Sequence, residues 1–126
     1  MNVEEIIIKK EIEKHSFLLK YDCDNLLSIV SRGSLYTQIN EYDKAEEDFL
    51  TAMYIDPKTY KNCLDLSRIY VLKNQYNNAL NLMNKTINIL PTEPQLYKFR
   101  SELYKSLNYE YLAEKDWIKF NSYCKN

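Results

Sequence analysis

The chain has 126 residues and a formal net charge of −1, enough length for one domain and too little charge to attract nucleic acid or an anionic membrane. Its single glycine, Gly33, excludes the glycine-rich loops that bind phosphates or dinucleotides and disfavours an all-β fold. No apolar run approaches the ~20 residues that a membrane-spanning helix needs.

The chain start and the cysteines predict a cytoplasmic protein. The only apolar run near the start covers residues 6–8 and follows acidic residues, which is not the pattern of a secretory signal. Cys23, Cys63 and Cys124 are odd in number and lack CxxC spacing. We therefore expect reduced thiols, with neither a disulfide framework nor a metal site.

The first predicted element is a helix over residues 3–21, in which Ile8, Ile12, His15 and Leu19 follow helical spacing. Shifted by 34 positions, this segment matches the second helix of the unit that follows it. We interpret residues 1–24 as an N-terminal capping helix, the remnant of a unit without its first helix. The alternative is a plug that folds into a binding groove and can be removed.

Residues 25–126 repeat with a period of 34 residues. Four positions carry the repeat: a small residue (Gly33, Ser67, Ser101), a tyrosine (Tyr36, Tyr70, Tyr104), an alanine (Ala45, Ala79, Ala113) and a large apolar residue (Phe49, Met83, Trp117). A fixed period of this size is typical of stacked supersecondary units. We predict three units, over residues 26–59, 60–93 and 94–126.

Each unit is predicted to be two amphipathic helices with a tight turn between them. Asn40, Asn74 and Asn108 share one position in the repeat, and asparagine tolerates the left-handed conformation that ends a helix. Pro57 and Pro91 follow the second helices and end them. The small residue of each first helix is expected to face the alanine of its partner helix, so that the two axes approach closely.

This pattern resembles the tetratricopeptide repeat (TPR) family, most specifically in the first two units. The third unit departs at Glu110, Phe120 and Lys125. The resemblance implies an all-α fold, a right-handed α-solenoid of three helix-turn-helix repeats behind the N-terminal helix. It also implies a non-enzymatic adaptor or chaperone-like scaffold without a cofactor, which binds a peptide segment of a partner protein in the concave groove lined by the first helices.

The groove-lining residues follow from their positions in the repeat. The candidate peptide-binding residues are Val30, Ser34, Leu64, Arg68, Val71, Lys98, Phe99, Glu102 and Lys105. Their apolar members, bordered by basic side chains, indicate an apolar peptide that carries some acid. Arg68 is the first candidate to bind a carboxylate, because its guanidinium can bond both oxygens.

Two branches of the family bind ligands in the groove of the first helices. One binds the C-terminal carboxylate of heat-shock chaperones through Lys, Asn and Arg side chains. The matching positions hold Val30, Ser34, Asp65, Gln95 and Phe99, which do not fit, and Asp65 would repel the ligand. The second branch, the translocator chaperones of bacterial type III secretion, is similar to this chain in repeat number and in the apolar character of the groove.

The alternative function is structural: a homodimer formed through the groove or through the last helix, where Tyr111 and Ile118 lie one heptad apart. At the phase where Ile87 should meet the following unit, the third unit has Asn121, which suggests that the array stops there.

Signals for catalysis are poor. His15 is the only histidine and holds the position of Phe49, so we expect a packed ring. Glu46, Glu47 and Asp48 are interpreted as a solvated acidic run on an exposed helix face.

Overall fold

The computed structural model describes residues 2–124, and every regular element in this range is an α-helix. The predicted all-α class is therefore confirmed. The helices are α1 (Val3–Tyr21), α2 (Leu26–Gln38), α3 (Tyr42–Ile55), α4 (Tyr60–Leu72), α5 (Tyr76–Ile89), α6 (Pro94–Ser106) and α7 (Glu110–Cys124).

The helices group into two compact units. The first unit, Met1–Pro57, contains α1, α2 and α3, and α2 packs against both of the others. The second unit, Lys58–Asn126, contains α4 to α7. In it α4 pairs with α5, α6 pairs with α7, and α6 also contacts α4 and α5.

The turn within each helix pair is built on the predicted asparagines. Asn40, Asn74 and Asn108 have φ angles of 62°, 60° and 65°, the left-handed region that ends a helix. The N–H of the following residue bonds back to the carbonyl of the repeat tyrosine, at 2.9 Å for Glu41 to Tyr36, 2.7 Å for Gln75 to Tyr70 and 2.8 Å for Tyr109 to Tyr104. The repeated turn explains how this chain makes tight helix pairs with one glycine.

The other helix ends also follow the local sequence. The Asn25 side chain accepts a 3.0 Å hydrogen bond from the Ser28 N–H and caps α2. The Asn2 side chain caps α1 in the same way. Pro57 and Pro91 come two residues after the ends of α3 and α5, as predicted. The predicted departure at Lys125 lies outside the described residues.

The small residues allow close helix packing. A Cβ added at Gly33 would lie 2.9 Å from Cε1 of Phe49 and 3.2 Å from Cβ of Asp48, so the missing side chain makes room for these α3 residues. In the third repeat the Ser101 hydroxyl donates a 2.7 Å hydrogen bond to the Ala113 carbonyl, which is the expected pairing.

The third repeat differs from the others at its large apolar position. Phe49 is 2% exposed and Met83 is fully buried, whereas Trp117 is 42% exposed. The three side chains share a repeat position but differ in burial. Phe120 stands where the earlier repeats have a small side chain, and its ring lies 5.3 Å from the indole.

Candidate functional site

The candidate site lies in the second unit, on neighbouring first helices. Leu64 and Arg68 of α4 and Gln95, Lys98, Phe99 and Glu102 of α6 line a concavity of about 120 Å³. We call it the α4–α6 concavity. Its α4 residues are one helical turn apart, as are Gln95, Phe99 and Glu102, so each helix presents one side to it.

Arg68 is held in place and is still open to solvent. Its guanidinium lies 5.9 Å from the centroid of the Phe99 ring, within the range of a cation–π contact. Its Nη1 is 3.5 Å from Oδ1 of Asp65, and the Arg68 side chain remains 58% exposed. Leu64, one helical turn earlier on α4, is buried. The arrangement combines an apolar side chain with an accessible cation.

The charges around the concavity are mixed. Arg68 and Lys98 are basic, and Glu102 is acidic. Burial raises the pKa of the neighbouring Asp65 carboxyl group, and the cations Arg68 and Lys61 oppose that shift. A ligand carboxylate that reached Arg68 would compete with Asp65 for the same guanidinium.

Five of the nine predicted site residues line this concavity: Leu64, Arg68, Lys98, Phe99 and Glu102. Val71 on α4 is half-buried and does not line it. Lys105 lies apart from it, because its ammonium group sits 5.9 Å from the Trp117 ring and borders a separate concavity of about 410 Å³. The sequence analysis placed Lys105 on the same surface as Lys98, Phe99 and Glu102, and it did not anticipate the contact between Lys105 and Trp117.

The two remaining predicted residues belong to the first unit. Val30 is half-buried on α2, and Ser34 is exposed on the same helix. They hold the positions in the first repeat that Leu64 and Arg68 hold in the second. Their role in binding stays a prediction.

Two arginine–aspartate pairs were missed by the sequence reasoning. Arg32 donates from Nε and Nη2 to the two carboxylate oxygens of Asp48, at 2.9 and 2.7 Å. Arg100 bonds Asp116 in the same way, at 2.7 and 2.8 Å. These hydrogen bonds raise the pKa of both guanidinium groups. The interpretation of Asp48 as a solvated acid is therefore wrong, since it is 5% exposed and bidentately paired.

Each of these arginines also reaches a third helix. Arg32 donates from Nη1 to the Ser16 hydroxyl on α1, and Arg100 donates from Nη1 to Oδ1 of Asn84 on α5. Ser16 and Asn84 are separated by 68 residues, two repeat periods. With respect to this contact, α1 packs on α2 as α5 packs on α6. The sequence contains a signal that could have predicted these pairs: an Arg and an Asp lie 16 residues apart, and the same spacing recurs 68 residues later.

Other chemistry finds little support in the described residues. His15 is half-buried, and its Nδ1 has no hydrogen-bond partner. Between residues 2 and 124, no group of three or more His, Cys, Asp or Glu side chains is placed to hold a metal ion.

None of the helices described here combines the length and the apolar character needed to cross a membrane.

Comparison with known proteins gives a family match over one repeat and a fold for the chain. The tetratricopeptide repeat family model matches residues 28–59. No curated protein sequence matches the chain.

Among solved structures, the MamA RS-1 ArsTM double mutant has a TM-score of 0.79 at 14% identity, over 92% of this chain and 65% of that one. A crystal structure of MamA has a TM-score of 0.77 at 16% identity, over 98% and 75%. MamA 41-end from Desulfovibrio magneticus RS-1 has a TM-score of 0.75 at 11% identity, over 92% and 66%. The chain thus spans about two thirds of the length of these proteins, and the likeness shows a shared helical repeat fold.

Proposed function

We propose that the chain is a non-enzymatic protein-interaction module, because residues 28–59 match the tetratricopeptide repeat family model and the whole chain shares a helical repeat fold with MamA. Its ligand is an apolar peptide segment of a partner protein that carries at least one carboxylate. The α4–α6 concavity is the centre of the binding surface. Each side chain that lines it comes from a rigid helix, which favours binding with little loss of conformational freedom.

The observation that carries this proposal is the position of Arg68. The guanidinium lies over the Phe99 ring, buried Leu64 lines the same concavity, and more than half of the Arg68 side chain is exposed. Lys98 lines the same concavity. An apolar ligand side chain would pack on Phe99 and Leu64, and its neighbouring carboxylate would accept two hydrogen bonds from Arg68.

The remaining predicted residues have secondary roles in this proposal. Val71 extends the surface along α4, Lys105 borders the separate concavity beside Trp117, and Val30 and Ser34 hold the matching repeat positions on α2 of the first unit. Glu102 selects against ligands with acid at its end of the concavity, since like charges repel at short range.

The experiment is a peptide array probed with the full chain. The array holds extended ~12-residue peptides in which one central residue beside two apolar residues is Glu, Gln or Lys. We expect the Glu series to bind roughly tenfold more tightly than the Lys series, with the preference weakening at high salt.

The matched variants separate the concavity from the rest of the surface. Arg68→Ala with Phe99→Ala should remove most of the binding and leave the helical circular dichroism unchanged. Lys85→Ala with Ile89→Ala changes two exposed side chains of α5 and should bind like the wild type. If the first pair binds normally, or if the array shows no preference for Glu over Lys, the proposal is wrong.

A structural role is the second candidate, favoured by the exposure of α7. Tyr111 is 76% exposed and Ile118 is 61% exposed on that helix. A homodimer through α7 would bury both residues in a symmetric contact. Analytical ultracentrifugation over a wide concentration range decides between them, since a monomer at all concentrations removes this candidate.

A further inference from the structure

Helix α1 is apolar on two opposite sides. On the side toward α2, Ile12 is buried, and Ile8, His15 and Leu19 are half-buried. At 100° per residue, six large apolar side chains fall on the other half of the helix, and between 41% and 80% of each is exposed. We call this side the α1 outer face; its apolar residues are Val3, Ile6, Ile7, Phe17, Leu18 and Tyr21.

The other second helices differ from α1 at the position of Phe17, although α7 also exposes large apolar side chains. The position of Phe17 is held by Thr51, Lys85 and Lys119 in α3, α5 and α7. The exposed rings of Phe17 and Tyr21 also pack edge to face at 5.3 Å, so they form one continuous apolar surface. Single exposed apolar residues are ordinary on a protein surface, whereas contiguous groups of them mark interaction sites.

The charges on the α1 outer face have one sign. Lys10 and Lys14 are exposed and lie between the apolar group at the start of α1 and the apolar group at its end. Neither lysine forms an ion pair within the described part of the chain, in contrast to Lys9, which pairs with Glu5 at 3.4 Å. The two lysines lie at the centre of the face, and the exposed Glu11 and Glu13 lie at its two edges.

We infer that the α1 outer face binds an amphipathic helix of a partner protein, with apolar side chains at both ends of its contact side and carboxylates in the middle. The two lysines complement those carboxylates, and the apolar groups on either side exclude water from the ion pairs. This surface belongs to the first unit, and the inference does not rest on the α4–α6 concavity.

The same lysines argue against the other occupants. A second copy that paired its α1 centrally with this one would bring Lys10 and Lys14 against their own equivalents, which is repulsive in both parallel and antiparallel directions. A bilayer surface would draw the apolar ends into the acyl region and carry the two central lysines with them. Amphipathic helices at membranes keep their lysines on the polar face.

The test uses a synthetic helical peptide of about 20 residues, with leucines at both ends of one side and two glutamates four residues apart at its centre. A second peptide carries lysines in place of the two glutamates. Binding to the full chain is followed by fluorescence anisotropy at low and at moderate salt. We expect the glutamate peptide to bind roughly tenfold more tightly than the lysine peptide at low salt.

Charge reversal on the protein provides the decisive comparison. Lys10→Glu with Lys14→Glu should invert the preference, so that the lysine peptide binds more tightly. Lys85→Glu with Lys115→Glu makes the same change in net charge at exposed sites on α5 and α7, and should keep the wild-type preference. Phe17→Ser should weaken both peptides, and circular dichroism checks that each variant is as helical as the wild type.

Several outcomes overturn the inference. One is equal binding of the two peptides, or no change of preference on charge reversal. Another is self-association of the wild type in ultracentrifugation that Phe17→Ser abolishes, because the face would then bind a second copy. The third is co-sedimentation with phosphatidylserine vesicles that the same substitution removes, which would make the face a membrane-binding surface.

Discussion

At the scale of single residues, Asp65 is a side chain next to the candidate site whose charge opposes folding. Burial raises the pKa of its carboxyl group, and Arg68 and Lys61 compensate only in part. The pKa in the folded chain therefore exceeds the ordinary value of about 3.9 that applies to the unfolded chain. The folded state is penalised while Asp65 is ionised, and the penalty disappears as the pH falls through the folded-state pKa to below about 3.9.

We predict that Asp65→Asn stabilises the protein at pH 7. The amide has the same size as the carboxyl group and places no charge in this half-buried position. The advantage in melting temperature should shrink as the pH is lowered toward about 4 and vanish below it, where the wild-type carboxyl is protonated in both states. Thermal unfolding followed by circular dichroism at each pH measures the difference. A variant that melts lower than the wild type at pH 7 would mean that the contact with Arg68 outweighs burial.

The residues of the candidate site show what the repeat pattern can predict. Leu64, Arg68 and Phe99 were placed together correctly because helical spacing fixes which side of α4 or α6 each one occupies. Lys105 borders a different concavity, because spacing does not describe what a long side chain packs against. Its ammonium group lies 5.9 Å from the Trp117 ring, which is 42% exposed.

At the scale of helices, the turns were predictable and the helix-to-helix ion pairs were not. Asparagine has a strong intrinsic tolerance of positive φ, so three asparagines at one repeat position predict three helix ends from local chemistry alone. The arginine–aspartate pairs join residues on different helices, and the middle repeat has Leu66 and Leu82 at the same positions. Because the middle repeat lacks both residues, comparing each repeat with the next one does not reveal the arginine–aspartate pairs.

The middle repeat also suggests how much the pairs contribute to stability. We predict that Asp116→Leu alone costs about 2–3 kcal/mol, because Arg100, whose side chain is 19% exposed, keeps its charge without its partner. Arg100→Leu with Asp116→Leu should return to within about 1 kcal/mol of the wild type, since two leucines occupy these positions in the middle repeat. Urea unfolding gives both values.

The double variant is the informative one in that comparison. If it is as unstable as the single variant, the bidentate pair itself is needed to orient α6 against α7, and leucines do not replace it. The bond from Arg100 to Asn84 would then be a necessary part of the same network.

At the scale of the whole molecule, the two units differ in how much apolar surface they bury. Most of the buried apolar side chains among residues 2–124 lie on α4, α5 and α6. In α1 the only one is Ile12, and α7 contributes Ala113. Local opening costs least where few buried contacts must be broken. The two proposed binding surfaces thus differ in rigidity, since α4 and α6 carry many buried apolar side chains, whereas α1 carries one and packs mainly against α2.

We therefore predict a gradient in amide hydrogen exchange, measured by mass spectrometry of peptide fragments under native conditions. Amides of α4, α5 and α6 should exchange slowest, and those of α1 should exchange fastest among the helices of the first unit. Binding of the glutamate peptide should slow exchange in α1 more than in α4, because the bound helix covers the apolar side that α1 leaves exposed. Equal protection of α1 to α7 in the free chain would contradict this gradient, since the amides of α1 would then exchange as slowly as those of α4, α5 and α6.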